Sequence, residues 1–255
     1  MSDQQPASSD AMDEASALKA EAARAAVQVI PDGAVIGLGS GTTAEAMLRE
    51  LATRVRQGLQ VTGVPASQRT ASIATSLGIP LLDLDDAPAL AFSIDGADEV
   101  TVPNLHLIKG GGGALLREKL IAAASQYRII IVDASKVVSA LGTVHPIPVE
   151  VTPFGWRHTA ARLAALGCQP ELRLISTVVT VGTGEIGGTT QHPYVTDSGN
   201  YILDCRFASI SEPEALGQAI KMTIGVVEHG LFLSMTERVY VAEAAAVVRA
   251  YDRPR

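Results

Sequence analysis

The sequence predicts an α/β protein: a mostly parallel, Rossmann-like sheet with helices on both faces, joined to a smaller α+β, ferredoxin-like lid. Three observations predict it. From about residue 16 to residue 136, short apolar runs alternate with helix-periodic runs. That alternation requires crossover helices, which cover both faces of a parallel sheet. After His145-Pro146-Ile147-Pro148 the composition shifts, and the order becomes strand, helix, two strands, helix. Finally, the polar clusters of the first part each follow a strand-like run, where open α/β sheets place their ligand cleft. Residues 1–14 are expected to be a disordered tail, 15–145 and 231–255 the α/β catalytic unit, and 146–230 the lid.

The first helix is expected over 16–29, with Ala20, Ala23 and Val27 on one face and Lys19 on its flank. Pro31-Asp32-Gly33 is a turn. Residues 34–38 form a short apolar strand that meets Gly39-Ser40-Gly41-Thr42-Thr43, and a helix follows over 44–56. Strands at 60–64 and 79–82 flank a helix at 68–77. The strand at 90–94 ends on Asp95-Gly96-Ala97-Asp98-Glu99. Next comes Lys109-Gly110-Gly111-Gly112-Gly113, which runs into a helix. Residues 128–132 are a β-branched strand ending on Asp133, with Lys136 just beyond. In the lid, 149–151 is a strand and 155–166 a helix. Strands at 171–181 and 201–206 are separated by a Gly/Thr-rich loop at 182–190, and 212–229 is a helix. Residues 235–242 read as a strand returning to the first sheet.

Composition narrows the function. A net charge of -7 argues against a nucleic-acid surface, and 4% aromatic content argues against base-stacking platforms. No apolar run reaches membrane-spanning length, and the acidic start lacks the apolar core of a signal peptide. Cys168 and Cys205 lack CxxC spacing and read as thiols of a reducing cytoplasm.

Four consecutive glycines after Lys109 must serve geometry, because glycine has the largest conformational entropy to lose. They let backbone approach a ligand and present N–H groups at a helix start. The helix behind them is apolar nearly all round, yet carries Arg117, Glu118 and Lys119. Residues step about 100° each along a helix, so three in succession cannot all face water. The turn 39–43 matches part of the dinucleotide fingerprint, but no acid ends the second strand, and no P-loop is present. Its three hydroxyls in four residues suit a terminal phosphate monoester; a well-capped helix start is the plainer alternative. Asp95, Asp98 and Glu99 could hold sugar hydroxyls, do acid–base work or form a solvated turn; metal binding is the weakest reading, since no ligand spacing accompanies them. Lys109 and Lys136 are the nearby cations, suited to oxyanion stabilisation, a Schiff base or a surface ion pair. His106 is the only histidine near these motifs, and no hydrolase triad can be placed.

The phrases G-L-G-S-G-T-T-A (37–44), S-I-D-G-A-D-E (93–99), K-G-G-G-G-A-L-L-R-E-K (109–119) and D-A-S-K (133–136) together resemble ribose-5-phosphate isomerase type A. P-V-E-V-T-P-F (148–154) and T-D-S-G-N-Y-I-L-D (196–204) are similar to that family too. The resemblance implies interconversion of D-ribose 5-phosphate and D-ribulose 5-phosphate with no cofactor and no metal. It implies that Ser40, Gly41, Thr42 and Thr43 hold the phosphate and that Asp95 and Asp98 sit at the sugar ring. It implies that Lys109 stabilises an enediolate and that Glu118 is the base. Lys19, Lys136 and the backbone of Gly96, Ala97, Gly110, Gly111 and Gly112 would contact the substrate. A homodimer or homotetramer in the cytoplasm is expected, with a sugar phosphate as the partner molecule. The chain departs from the family pattern in one extra residue around Pro103, in Ala134, and in an extended loop at 182–190. A non-catalytic sugar-phosphate sensor on the same scaffold is the alternative, and an amino-sugar-phosphate isomerase or deaminase a third reading.

Overall fold

The computed structural model describes residues 9–102, 104–181, 185–244 and 247–254 of the 255-residue chain. Its main sheet contains β1 (Ala34–Leu38), β2 (Val61–Pro65), β3 (Leu90–Asp95), β6 (Ser125–Asp133), β15 (Arg238–Glu243) and β16 (Val247–Asp252), in the order β16-β15-β6-β3-β1-β2. Every pairing is parallel except that of the edge strand β16. The expected return of the chain to the first sheet is thus the parallel pairing of β15 with β6.

Side-chain alternation assigns the two faces of the sheet. Ile129 and Ile131 of β6 join Ile36, Leu38 and Ile94 under α1 (Ser9–Gln28) and α2 (Thr42–Arg56), whose Ala22, Ala23, Ala26, Met47, Leu48 and Leu51 are fully buried. Ile130 and Val132 point the other way, into a cluster with Val100, Leu107, Phe232 and Val241. On that same side α4 (Leu115–Ala124) buries Ile121 against Val64, Ala66 and Leu90. α3 (Gln68–Ser76) starts on Ser67, whose Oγ accepts the Thr70 N–H at 3.0 Å.

Beyond the carboxyl ends of β3 and β6 lies a small sheet. It is built from β4 (Glu99–Thr101), β5 (His106–Ile108), β7 (Val137–Val138) and β14 (Leu231–Phe232), in the order β14-β5-β4-β7. Buried Glu99 fastens the following segment by accepting the backbone N–H groups of Gly142, Val144 and His145. The remaining sheet has the order β13-β8-β12-β9, formed by β8 (Ile147–Val151), β9 (Cys168–Leu172), β12 (Tyr201–Phe207) and β13 (Val226–His229). With α5 (Trp156–Ala164) and α6 (Pro213–Lys221) it gives the antiparallel βαββαβ pattern of a ferredoxin-like unit. A hairpin of β10 (Leu174–Val181) and β11 (Glu185–Pro193) is inserted between β9 and β12.

Several boundaries differ from the sequence expectation. α1 begins at Ser9 rather than near 16, so residues 9–14 are helix; residues 1–8 of the expected tail lie outside the described residues, as does Pro103. The 79–82 strand reduces to a single bridge, Gly63 to Leu81. The expected 212–229 helix stops at Lys221, because Gly225 turns the chain at φ +96° and Val226, Glu228 and His229 pair with β8 across a bulge at Val227. The strand expected at 171–181 divides at Arg173. Residues 185–190 of the expected loop are strand, while 182–184 lie outside the described residues.

Candidate active site

Glycine geometry lets three loops converge. β1 ends at Leu38, and a Cβ on Gly39 would stand only 2.1 Å from Asp95 Oδ1. Only a residue without a side chain lets the turn close on that carboxylate. Asp95 in turn ties the loops together: its Oδ1 accepts the Ser40 N–H at 3.1 Å and the Gly96 N–H at 2.7 Å, and its Oδ2 pairs with Lys109 Nζ at 2.9 Å. Ser40 Oγ lies 3.0 Å from Ser67 Oγ, and Thr70 Oγ1 donates to Gly39 O at 2.9 Å. The turn is therefore braced from beneath by α3.

Helix α2 has Gly41 as its N-cap at φ +88°, with no side-chain cap. The capped-helix reading of Ser40, Thr42 and Thr43 is not what the structure shows. The first N–H groups of α2 stay available, at the positive end of the helix dipole. Lys19 Nζ, from α1, donates to Thr42 Oγ1 at 3.0 Å.

Lys109 is 4% exposed, at the end of β5. Its ammonium donates to Gly96 O at 2.6 Å and lies 3.3 Å from Glu118 Oε2. Burial alone would lower its pKa, but the negative charges of Asp95 and Glu118 outweigh that and raise it, so Lys109 stays charged. Glu118 is buried in the first turn of α4, and its Oε2 accepts no hydrogen bond. Burial pushes its carboxyl well above the usual carboxylate range against the pull of Lys109, and Asp95 and Asp98 push the same way. A carboxylate of raised basicity beside a fixed cation is the pair needed to remove a proton next to a carbonyl.

A cleft of about 280 Å³ is lined by Lys19, Ser40, Gly41, Thr42, Thr43, Gly96, Ala97, Asp98, Lys109, Gly110, Gly111, Gly112, Glu118 and Lys136. The hydroxyl turn and the glutamate thus open onto one hollow. Asp98 Oδ2 accepts the Gly111 N–H at 2.8 Å, which leaves this carboxylate on the cleft wall. Asp95 stands behind Lys109, outside that lining, and Glu99 is turned to the 142–145 segment instead. His106 is also remote, 3.5 Å from Glu214. A larger hollow of about 620 Å³, between β2, α3 and α4, shares no residue with this cleft. Among the described residues, no three His, Cys, Asp or Glu side chains converge as a metal-binding set.

Some supporting groups had no role assigned to them from the sequence. Asp133 Oδ1 accepts the Ser135 N–H at 3.0 Å and caps the short turn that presents Lys136. Arg173 and Tyr194 hold carbonyls of the glycine ribbon. Arg117 donates to Asp197 O at 3.0 Å, and Asp197 Oδ2 accepts the Gln68 N–H at 2.7 Å. The contacts of Arg173, Tyr194, Arg117 and Asp197 span long sequence separations, which no local pattern reads.

Residues 62–246 match the family described as Ribose 5-phosphate isomerase A (phosphoriboisomerase A). The chain is 50% identical to ribose-5-phosphate isomerase A of Synechococcus sp. (strain JA-3-3Ab) over 91% of its own length and 95% of the relative's. It is 46% identical to that of Thermomicrobium roseum over 93% and 94%. Among solved structures, ribose 5-phosphate isomerase A from Methanocaldococcus jannaschii superposes with TM-score 0.82 at 36% identity, covering 93% of this chain and 99% of that one. A D-ribose-5-phosphate isomerase in complex with phospho-erythronic acid gives TM-score 0.83 at 33% identity, covering 93% and 98%.

Proposed function

The chain belongs to the ribose 5-phosphate isomerase A family and is an aldose–ketose isomerase of D-ribose 5-phosphate and D-ribulose 5-phosphate; from that premise we propose that its cleft works through a cis-enediolate with Glu118 as the base. The observation that carries the proposal is the buried pair of Glu118 and Lys109, 3.3 Å apart on the wall that also bears the Ser40–Thr43 turn.

The phosphate is held by the hydroxyls of Ser40, Thr42 and Thr43, by the uncapped N–H groups of α2, and by Lys19 and Lys136. Asp98 takes the proton of the C1 hydroxyl as the C1–O ring bond breaks and passes it to the ring oxygen, which exposes the aldehyde. Glu118 then removes the C2 proton. The electron pair moves toward the C1 carbonyl, and the enediolate charge that forms is met by the Lys109 ammonium. The O2 hydroxyl proton passes to O1, the charge on O2 closes the C2 carbonyl, and Glu118 returns its proton to C1, which yields the ketose. Asp95 acts here through Lys109 and the two backbone N–H groups it holds, beside the sugar ring.

Glu118→Gln keeps the volume of the side chain and removes the base. Its turnover in an assay of ribulose 5-phosphate formation should fall about 10² to 10⁴-fold with ribose 5-phosphate still bound; near-normal turnover removes Glu118 from the role. Activity should survive exhaustive chelation of metals. Residues 146–230 serve as a lid, a reading supported by the contacts of Arg173, Tyr194 and Asp197 with the first unit. The working form is a cytoplasmic homodimer or homotetramer. Phe154, Met222 and Ile224, 97%, 82% and 77% exposed, support a further covered surface. Sedimentation of a monomer at working concentration would refute that state.

A further inference from the structure

We propose that Arg173 is a positioning residue of this isomerase: by holding two successive carbonyls of the glycine ribbon, it turns the Gly112 N–H into the cleft. The proposal deepens the reading of the cleft given above and rests on it. Arg173 stands between β9 and β10, its backbone N–H donating to Ile202 O at 2.9 Å. Asp204 of β12 grips the guanidinium: Nε donates to Asp204 Oδ2 at 2.8 Å and Nη2 to Asp204 Oδ1. Two parallel bonds fix the plane of the guanidinium fork. Its remaining nitrogen, Nη1, is thereby aimed at the ribbon, where it donates to Gly110 O at 2.9 Å and Gly111 O at 3.0 Å. Tyr194, whose N–H donates to Arg173 O at 2.8 Å, brings its hydroxyl to Gly112 O at 3.4 Å. Three successive carbonyls therefore face the second unit.

A trans peptide unit is planar, so its C=O and the following N–H point in opposite directions. With Gly110 O turned to Arg173, the Gly111 N–H must point away, and it is found on Asp98 Oδ2 at 2.8 Å. The same rule applied to Gly111 O sends the Gly112 N–H away from Arg173, and Gly112 lines the cleft. Gly112 is exposed, and a Cβ on it would meet no atom within 4 Å, so the ribbon is open on that side. Four glycines carry no side chains to hold their own peptide planes, and glycine has the widest choice of backbone conformations. The ribbon makes one turn bond of its own, Gly113 N–H to Gly110 O at 3.0 Å, which leaves the Gly111–Gly112 peptide plane to be set by the Asp204–Arg173 fork at Gly111 O. A group that never touches the sugar thus aims an N–H donor at the reacting end and holds Asp98 in place.

An ion pair that merely stabilised the fold would leave the kinetic constants of the folded variant alone. The test is Arg173→Met, Arg173→Lys and Asp204→Asn in the full chain, with ribose 5-phosphate as substrate and inorganic phosphate as a competing probe of the 40–43 turn. Arg173→Met is expected to lower kcat about 10²-fold, the effect of a misplaced reacting geometry. KM and the phosphate inhibition constant should stay within about threefold, because the turn is untouched. Arg173→Lys recovers only part of the loss, since an ammonium cannot span Asp204 and both carbonyls. Asp204→Asn leaves the arginine but loosens it; its kcat should fall about tenfold with KM again unchanged, and it decides the matter if Arg173→Met does not fold. A folded variant with kcat within about twofold of the parent, or a loss expressed in KM alone, overturns the proposal. An unmodified chain that fails to isomerise ribose 5-phosphate overturns the parent reading instead.

Discussion

Asp95→Asn isolates the charge that joins the three loops, and its consequences can be worked out before the experiment. The amide oxygen can still accept the Ser40 and Gly96 N–H groups, so the loop closure survives. What disappears is the negative partner 2.9 Å from Lys109 Nζ. At an effective dielectric constant of about 20, that attraction is worth roughly 6 kcal/mol before desolvation is counted. Breaking a buried pair by removing one partner costs about 3–5 kcal/mol, and Lys109 keeps Glu118 and Gly96 O, so the lower end, about 3 kcal/mol, is expected. For a chain of this size that lowers Tm by roughly 6–12 °C. The kinetic sign follows from Glu118. Asp95 is one of the charges that raise its pKa, while Lys109 lowers it. Without Asp95, the glutamate becomes a weaker base and ionises at lower pH. The acidic limb of the kcat/KM profile should therefore move to lower pH while the plateau drops. Thermal unfolding and a pH–rate profile read the two effects. An unchanged Tm, or an acidic limb displaced upward, would refute the account of the Asp95–Lys109–Glu118 triad.

Other expectations follow from the same contacts. Gly39→Ala places a methyl 2.1 Å from Asp95 Oδ1, and relieving that overlap should cost about 1–3 kcal/mol and most of the activity; wild-type melting and turnover would contradict the closure described. Thr42→Val removes one hydroxyl donor together with the partner of Lys19, and should raise KM about tenfold with kcat little changed, as for a lost bond to a charged group; an unaltered KM would move the phosphate elsewhere. Burial lowers the pKa of His229 from 6.5 to about 4, with Lys119 acting in the same direction. The unfolded chain binds the extra proton in that window, so stability should fall as pH drops from 6.5 toward 4. Glu228 is held down to about 2, because Lys119 and Lys221 outweigh the opposing effect of burial; its contribution is lost at still lower pH. Denaturant titrations across this range should show the decline, and His229→Gln should flatten its upper part.

Much of the scaffold was legible because local chemistry and long-range order agree in it. The β-branched run of β6 and the apolar runs of β1 and β3 are buried on both faces of a parallel sheet, so their hydrophobicity is continuous and easy to read. The short strands β4, β5, β7 and β14 are two or three residues long and exist only because they find one another beyond the main sheet. No periodicity can announce a strand of that length. The 212–229 stretch failed for a different reason: Gly225 and the β-branched valines after it interrupt the helix locally, and pairing with β8 completes the strand.

The sequence by itself determined which residue types meet a phosphosugar: hydroxyls before a helix, carboxylates after a strand, and a lysine leading into four glycines and a glutamate. It did so because the first two motifs end strands of a parallel sheet, and parallel strands end at one edge; the lysine–glycine stretch follows β5 of the small sheet beyond that edge. Only the tertiary structure decided the division of labour among them. Asp95 and Asp98 are three residues apart, yet one lies buried behind Lys109 and the other on the open wall. Two carbonyls of the glycine ribbon are met by Arg173, itself gripped by Asp204, more than sixty residues downstream. Burial and hydrogen-bond direction belong to the packed chain, and no local pattern encodes them.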